Sequence, residues 1–156
     1  MSFNAEAFLN QTIEEPMSTK TLVCPEGEFR AFVDDGDKAI QFREFAGKDG
    51  NPPSFQCVVL FSILDESVKT FLKREKALVP MNVWLDMKED GSGLDLSEGK
   101  NVGLGRLRKA LNQNSGAWSP LMMKGKGPVM IKVGQRADKN DPEVKYAEVT
   151  RVAGIS

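Results

Sequence analysis

Between Gly99 and Arg136 the chain carries eight basic side chains, Lys100, Arg106, Arg108, Lys109, Lys124, Lys126, Lys132 and Arg136, and no carboxylate. A window that sheds every acid suits an anion-facing surface, because nothing inside it neutralises the field of the cations. Elsewhere, aromatic residues sit on the polar sides of alternating segments. Phe32 falls between Arg30 and Asp34, Trp84 shares a face with Asn82, Asp86 and Lys88, and Tyr146 alternates with Ala147 and Val149. A ring left open on a strand can stack on a nucleic-acid base for about 1 to 3 kcal/mol, in combination with a basic groove that tracks the phosphates. These residue types point to noncovalent binding of a flexible polyanion. The expected contacts are Arg30, Phe32, Arg43, Trp84, Lys100, Arg106, Lys109, Lys124, Lys126, Lys132, Arg136 and Tyr146. Each ring also has a plainer use, packing under a helix or under the N-terminal arm. Trp118, in the loop NSGAWSP, serves equally well as a hydrophobic plug or as a stacking residue.

Other chemistries fit less well. The chain has no histidine, the commonest general base near neutral pH and the commonest metal ligand, so serine and cysteine hydrolase triads and mixed zinc sites are out. The stretch GKNVGLGRLRKAL looks at first like a phosphate-binding loop. However, Gly93 lies one residue too far from Gly99 for a P-loop, and Asn101 stands where its hydroxyl residue belongs. A dinucleotide fingerprint fails for want of a third glycine and a parallel βαβ unit. The glycines are expected instead to let the chain turn tightly into a helix whose N-terminus and basic outer face attract phosphate without reading a nucleotide. In DMKEDGSGLDLSE, Lys88 and Ser97 occupy positions where a calcium loop needs ligands. A magnesium nuclease using Asp34, Asp37 and Asp86 is a rival that spacing alone does little to support. The expectation is no enzyme, no metal and no cofactor.

With 156 residues and 40% hydrophobic content, the chain closes one core of ordinary size, single domains having roughly 100 to 150 residues. The apolar run Cys57 to Phe61 is too short to cross a bilayer. The first residues lack a secretory pattern, which predicts a cytosolic protein. Cys24 and Cys57 are expected to be reduced core thiols. Net charge is only −1, but Met1 to Asp37 holds two basic and eight acidic residues, so the remainder is basic. Residues 1–22 read as an extended acidic arm in which Pro16 breaks any helix started at Ala5 to Leu9. Residues 23–156 read as the folded body.

Alternation of period two marks strands at EFRAFVDD and at Lys38 to Phe45, joined at Asp35–Gly36 as a hairpin, with Ile40 and Phe42 on one side. FQCVVLFSILDE reads as a strand buried on both faces. SVKTFLKREKAL is a short helix or a long connection, ended by Pro80. MNVWLDMK alternates again. A helix from about Val102 to Asn112 buries Leu104, Leu107 and Leu111 and turns Arg106, Lys109 and Gln113 outward, with Arg108 on its flank. PVMIKVGQR and EVKYAEVTRV form the last two strands. A mainly β chain of five to six antiparallel strands, with one helix before its last hairpin, predicts a small barrel closed on itself.

The runs AFLNQTIEEPMSTKTLVCPEGEFRAFVDD, LDLSEGKNVGLGRLRKALN and MKGKGPVMIKVGQR…YAEVTRV resemble a family of small bacteriophage single-stranded DNA-binding proteins, over nearly the whole chain from Phe8. The most distinctive pieces are Pro25, Glu26 and Gly27 before the first strand, the GLGRLRKAL helix start and the GKG before the late strand. The resemblance implies an oligonucleotide/oligosaccharide-binding (OB) barrel, sequence-independent protection of replication or recombination intermediates without catalysis, a homo-oligomer, and the cytoplasm of an infected bacterial host. It brings over no individual contact residue. Many proteins of this function end in an acidic tail that recruits replication partners, whereas this sequence ends RVAGIS. Either its acidic N-terminal arm takes over the recruitment of replication or recombination partners, or the protein has no such role. The alternative expectation is a virion or assembly protein whose arm reaches onto a neighbouring subunit.

Overall fold

The computed structural model describes residues 3–155. Strands β1 (Gly27–Val33), β2 (Ile40–Phe45), β3 (Ser54–Ile63), β4 (Ala77–Leu85), β5 (Val129–Ala137) and β6 (Lys145–Gly154) form one antiparallel sheet. Three short helices accompany it, α1 (Ala5–Leu9), α2 (Glu66–Leu72) and α3 (Val102–Ala110). β3 is the axis because its apolar run is buried on both faces, as expected. One of its edges takes β4, from Phe55 opposite Leu85 to Ile63 opposite Ala77. The other edge is shared: β2 pairs with Ser54 to Val59, and β1 with Phe61 to Ile63. β1 and β2 are thus not the expected hairpin but two halves of one bent strand. Their corner is held by Asp34 N–H donating to the Leu60 carbonyl and by Leu60 N–H donating to Ala39 O, both 2.9 Å. A ten-residue strand has edge enough for both halves, and burying its apolar side chains outweighs the local turn preference of Asp35 and Gly36. β1 also pairs with β5, which pairs with β6 in the predicted final hairpin.

The sheet does not close into a barrel, contrary to the expectation. Following antiparallel pairings from β4 through β3, β1 and β5 to β6 takes an even number of reversals, so β4 and β6 run in the same sense. They face each other with no ladder between them. Among the described residues, one side-chain hydrogen bond spans them, Asn82 Nδ2 donating to Glu148 Oε2 at 3.4 Å. Pro80 contributes to the opening. Leu60 turns both its N–H and its carbonyl toward β1 and β2. Pro80, opposite Leu60, therefore aims its nitrogen away from β3 and into the gap, where it has no hydrogen to donate. Nor does Pro80 end the helical stretch before it. That stretch stops at Leu72, where Lys73 takes a left-handed conformation (φ 57°), and Pro80 lies inside β4.

The core fills the inner face of the curved sheet, with Phe61, Ile63, Val79, Ile131 and Val133 sealed from solvent. α3 adds Leu104 and Leu107 to it, on the predicted face, and spans one end of the gap. A Cβ on Gly103 would lie 3.5 Å from the Val83 side chain of β4, and one on Gly154 of β6 would lie 3.3 Å from the Ala110 carbonyl. Gly103 and Gly105 are inside the helix rather than in the turn before it. That turn is made by Asn101, left-handed at φ 53°, whose buried amide donates to the Asp86 and Asp95 carbonyls at 2.8 Å and accepts from Asp86 N–H at 2.9 Å. Cys24 and Cys57 are free and buried, and burial pushes the Cys24 thiol up to about 11 and the Cys57 thiol in the same direction. Of the arm, Ala5–Leu9 does form a helical turn, capped by the Asn4 side chain and ended at Asn10, well before Pro16. Residues 3–22 are exposed throughout. Their attachment is near β6, where Thr19 bonds Glu143 and the Lys145 N–H donates to Thr21 Oγ1 at 2.9 Å.

Candidate nucleic-acid interface

On the outer face of the β2–β3–β4 layer, Arg43, Gln56 and Trp84 stand in one register row. Side chains alternate across a strand, so Phe45, two residues beyond Arg43, shares that face. The Phe45 and Trp84 rings lean over β3 to 5.6 Å between centroids and cover Gln56, which is buried. Both rings keep an open side, Trp84 being 57% and Phe45 43% exposed. This is a platform rather than core packing.

Beside the platform, the upper part of the β4–β6 gap is a cleft of about 490 Å³. Arg43 from β2, Arg74 from the α2–β4 connection, Arg136 from β5, and Tyr146 and Glu148 from β6 line it, with Asn82 and Pro80 on the β4 side. Among the described residues, Arg43 and Arg74 have no carboxylate in ion-pair contact, whereas Arg136 Nε lies 3.8 Å from Glu148 Oε2. The Arg136 guanidinium also sits over the Tyr146 ring, 5.0 Å from its centroid. The Tyr146 hydroxyl donates to Asp138 Oδ2 at 2.8 Å, which raises the tyrosine pKa. Asp138 is held below the usual carboxylate range by the Asn140 backbone N–H and by this hydroxyl. Tyr146 is therefore a fixed ring with one face taken by its own arginine.

A second groove, of about 830 Å³, lies between α3 and the end of β6. Arg106, Lys109 and Arg151 line it with no acidic residue. Arg106 and Lys109 come from the solvent face of α3, as the helical spacing requires.

The remaining expected contacts lie elsewhere. Arg30 and Lys132 occupy the outer face of β1 and β5, where Lys132 stands between Glu28 and Arg151 in register. Phe32 is on the same β1 face but half-buried, crossed by the GKG segment so closely that a Cβ on Gly127 would meet its ring at 3.0 Å. Lys124 and Lys126 sit at the end of β1, where Val33 N–H donates to Lys126 O at 2.8 Å and Gly125 packs toward Asp35. That corner also holds Asp34 and Asp35, both paired with Lys76. Burial pushes the Asp34 carboxyl up, but the Lys76 ammonium at 3.0 Å and the Gly36 N–H outweigh it and hold the carboxyl below its ordinary range. Lys100 precedes α3, close enough to Asp95 to favour its charged form. The eight cations of the Gly99–Arg136 window thus do not form one trough. Arg108 leaves it altogether, stacking over Trp118 at 4.3 Å while the indole N–H donates to Gln113 Oε1 at 2.9 Å. Trp118 is thereby pinned as a plug.

Phe45, Arg74 and Arg151 line the candidate site but were not among the expected contacts. Phe45 was accessible from its parity with Arg43. Arg74 lies in an irregular connection that carries no pattern. Phe42, expected on one side with Ile40, does share that side but is 62% exposed. There it stacks on Phe55 at 5.6 Å, beyond the end of the core. Asp86 is occupied by Asn101, whose N–H it accepts at 2.7 Å, and Asp34 by Lys76. No three candidate metal ligands converge among the described residues. Comparison of the chain with family models, with curated proteins and with solved structures finds no match.

Proposed function

We propose that this protein binds single-stranded DNA, largely independently of sequence, on the outer face of β3 and β4 and in the arginine-lined cleft beside it. The observation that carries the reading is the open Trp84–Phe45 pair, whose register row includes Arg43, an arginine that also lines the cleft with Arg74 and Arg136. Bases need a π-face and phosphates need cations, and Arg43 belongs both to the ring row and to the cleft. Duplex DNA keeps its bases stacked on one another, so a ring platform of this kind favours an unpaired strand.

Strand order supports a partly open OB-type arrangement. With β1 and β2 counted as one bent strand, the chain runs as a five-stranded Greek key with its helix between the third and fourth strands, open between the third and the fifth. OB folds bind oligonucleotides on the face of their second and third strands and on two flanking loops. Here those elements correspond to β3, β4 and the loops 46–53 and 138–144. Protection of phage replication or recombination intermediates in the host cytoplasm, with partner proteins on the acidic arm, is the role that the family resemblance attaches to this chemistry.

Labelled oligo-dT and a duplex of equal length, titrated at two salt concentrations with wild type and Trp84→Ala, test the reading. The expected result is preference for the single strand, fluorescence quenching that disappears in the variant, and log K falling with log salt at roughly −0.7 per phosphate neutralised. Equal affinity for duplex, or affinity indifferent to salt, overturns it. One observation favours the assembly reading in addition. Phe3, Phe8, Leu9, Ile13 and Met17 of the arm are all exposed, an apolar series that a second copy of the chain would cover.

A further inference from the structure

The groove between α3 and β6 is not needed for stacking, yet it gathers Arg106, Lys109 and Arg151 around a floor of Met81, Ala110 and Val152 without one carboxylate. None of the three cations forms an ion pair among the described residues. Arg151 arrives there by a specific device. Val133 pairs with Val149 but Lys132 pairs with Arg151, so Thr150 is an extra residue in β6. A one-residue shift exchanges the two faces of a strand. The bulge therefore turns Arg151 outward, onto the face that already holds Tyr146 and Glu148. A regular β6 would have pointed Arg151 into the core.

The same strand borders both clefts. Residues 145–148 of β6 line the arginine cleft, and residues 150–154 line the α3 groove. At about 3.3 Å per residue, Tyr146 and Arg151 are roughly 16 Å apart along β6. We propose that the α3–β6 groove is a second, phosphate-only segment of the binding site. A strand held by its bases on the Trp84–Phe45 platform continues along β6, and its backbone is gripped by Arg106, Lys109 and Arg151 with no base contact. The inference rests on the single-stranded DNA reading and extends it to a path and a length.

Two oligo-dT probes separate the two, one of about 6 nucleotides and one of about 20, the single-domain range for OB proteins being about 4 to 16. The variant is Arg106→Ala/Lys109→Ala/Arg151→Ala; all three side chains are exposed, and circular dichroism checks that the fold is kept. The expected result is unchanged affinity for the short probe, at least a tenfold loss for the long one, and a salt slope for the long probe shallower by roughly 2, three phosphate contacts at 0.7 each. If the variant binds the long probe like wild type, or weakens both probes equally, the second segment is refuted while the platform reading stands. If wild type binds neither probe, both fall together.

Discussion

Trp84 and Tyr146 are both aromatic side chains on the outer face, but their surroundings give them different capacities. Trp84 leans on Phe45 over Gln56 and keeps an open side, so Trp84→Ala is expected to weaken oligo-dT binding by about 1 to 3 kcal/mol while the protein stays folded with a modest fall in melting temperature, as equilibrium titration and melting curves will show. Tyr146 is held by Arg136 on its face and by Asp138 at its hydroxyl, so its removal acts first on its neighbours. The lowered Asp138 pKa means that its folded-state contribution is present above the ordinary carboxyl value of about 3.9 and is lost as pH falls through the lowered one. Tyr146→Phe removes one of the two main donors, and the Asp138 carboxyl should then titrate nearer its ordinary value in an NMR pH titration. An unmoved titration would mean that the Asn140 N–H alone sets it. At this scale strand parity was a sound guide to Arg43 and Trp84, because alternation is a local property of an extended chain. It was silent on Tyr146's partners, which come from the β5–β6 connection and from the facing strand.

The elements were legible where the pattern was strong. β3, β5, β6 and α3 stand where periodicity placed them, since each buries a continuous apolar stripe that could not be left in water. Two features escaped. Pro80 reads locally as a stop, yet it sits in β4 because its nitrogen faces the unpaired gap, a circumstance decided by β3 and not by its neighbours in sequence. The Thr150 bulge coincides with a break in the alternation at Val149-Thr150-Arg151-Val152, but which residue is extra is fixed only by the pairing with β5. Removing the bulge gives a sharp prediction. Deleting Thr150 should close the bulge while Arg151 stays outward opposite Lys132 and Val152 inward opposite Ile131, so the urea midpoint should change little; a marked fall would show that the bulge itself carries stability. For α3, Leu107 is completely buried, and Leu107→Ala should cost about 2 to 5 kcal/mol in chemical denaturation and loosen the floor of the second groove.

In the whole molecule the charge is divided by region: cations gather along both halves of the β4–β6 opening, while the arm is acidic. Among the described residues, the arm is hydrogen-bonded to the body only around Thr19 to Thr21. Removing residues 1–17 should therefore leave the melting temperature nearly unchanged and shift the mass measured by light scattering toward the monomer. An unchanged mass would remove the arm from subunit contacts. The amino-acid sequence by itself determined the secondary-structure elements, the two-faced burial of β3, the outward face of α3 and the absence of histidine chemistry, because these follow from residue type and short-range periodicity. Only the tertiary structure decided that β1 and β2 share one edge of β3, that the sheet stays open between β4 and β6, and which cations meet. Those outcomes depend on which distant strands compete for the same edge and on how the facing strands align, which residue type and short-range periodicity do not fix.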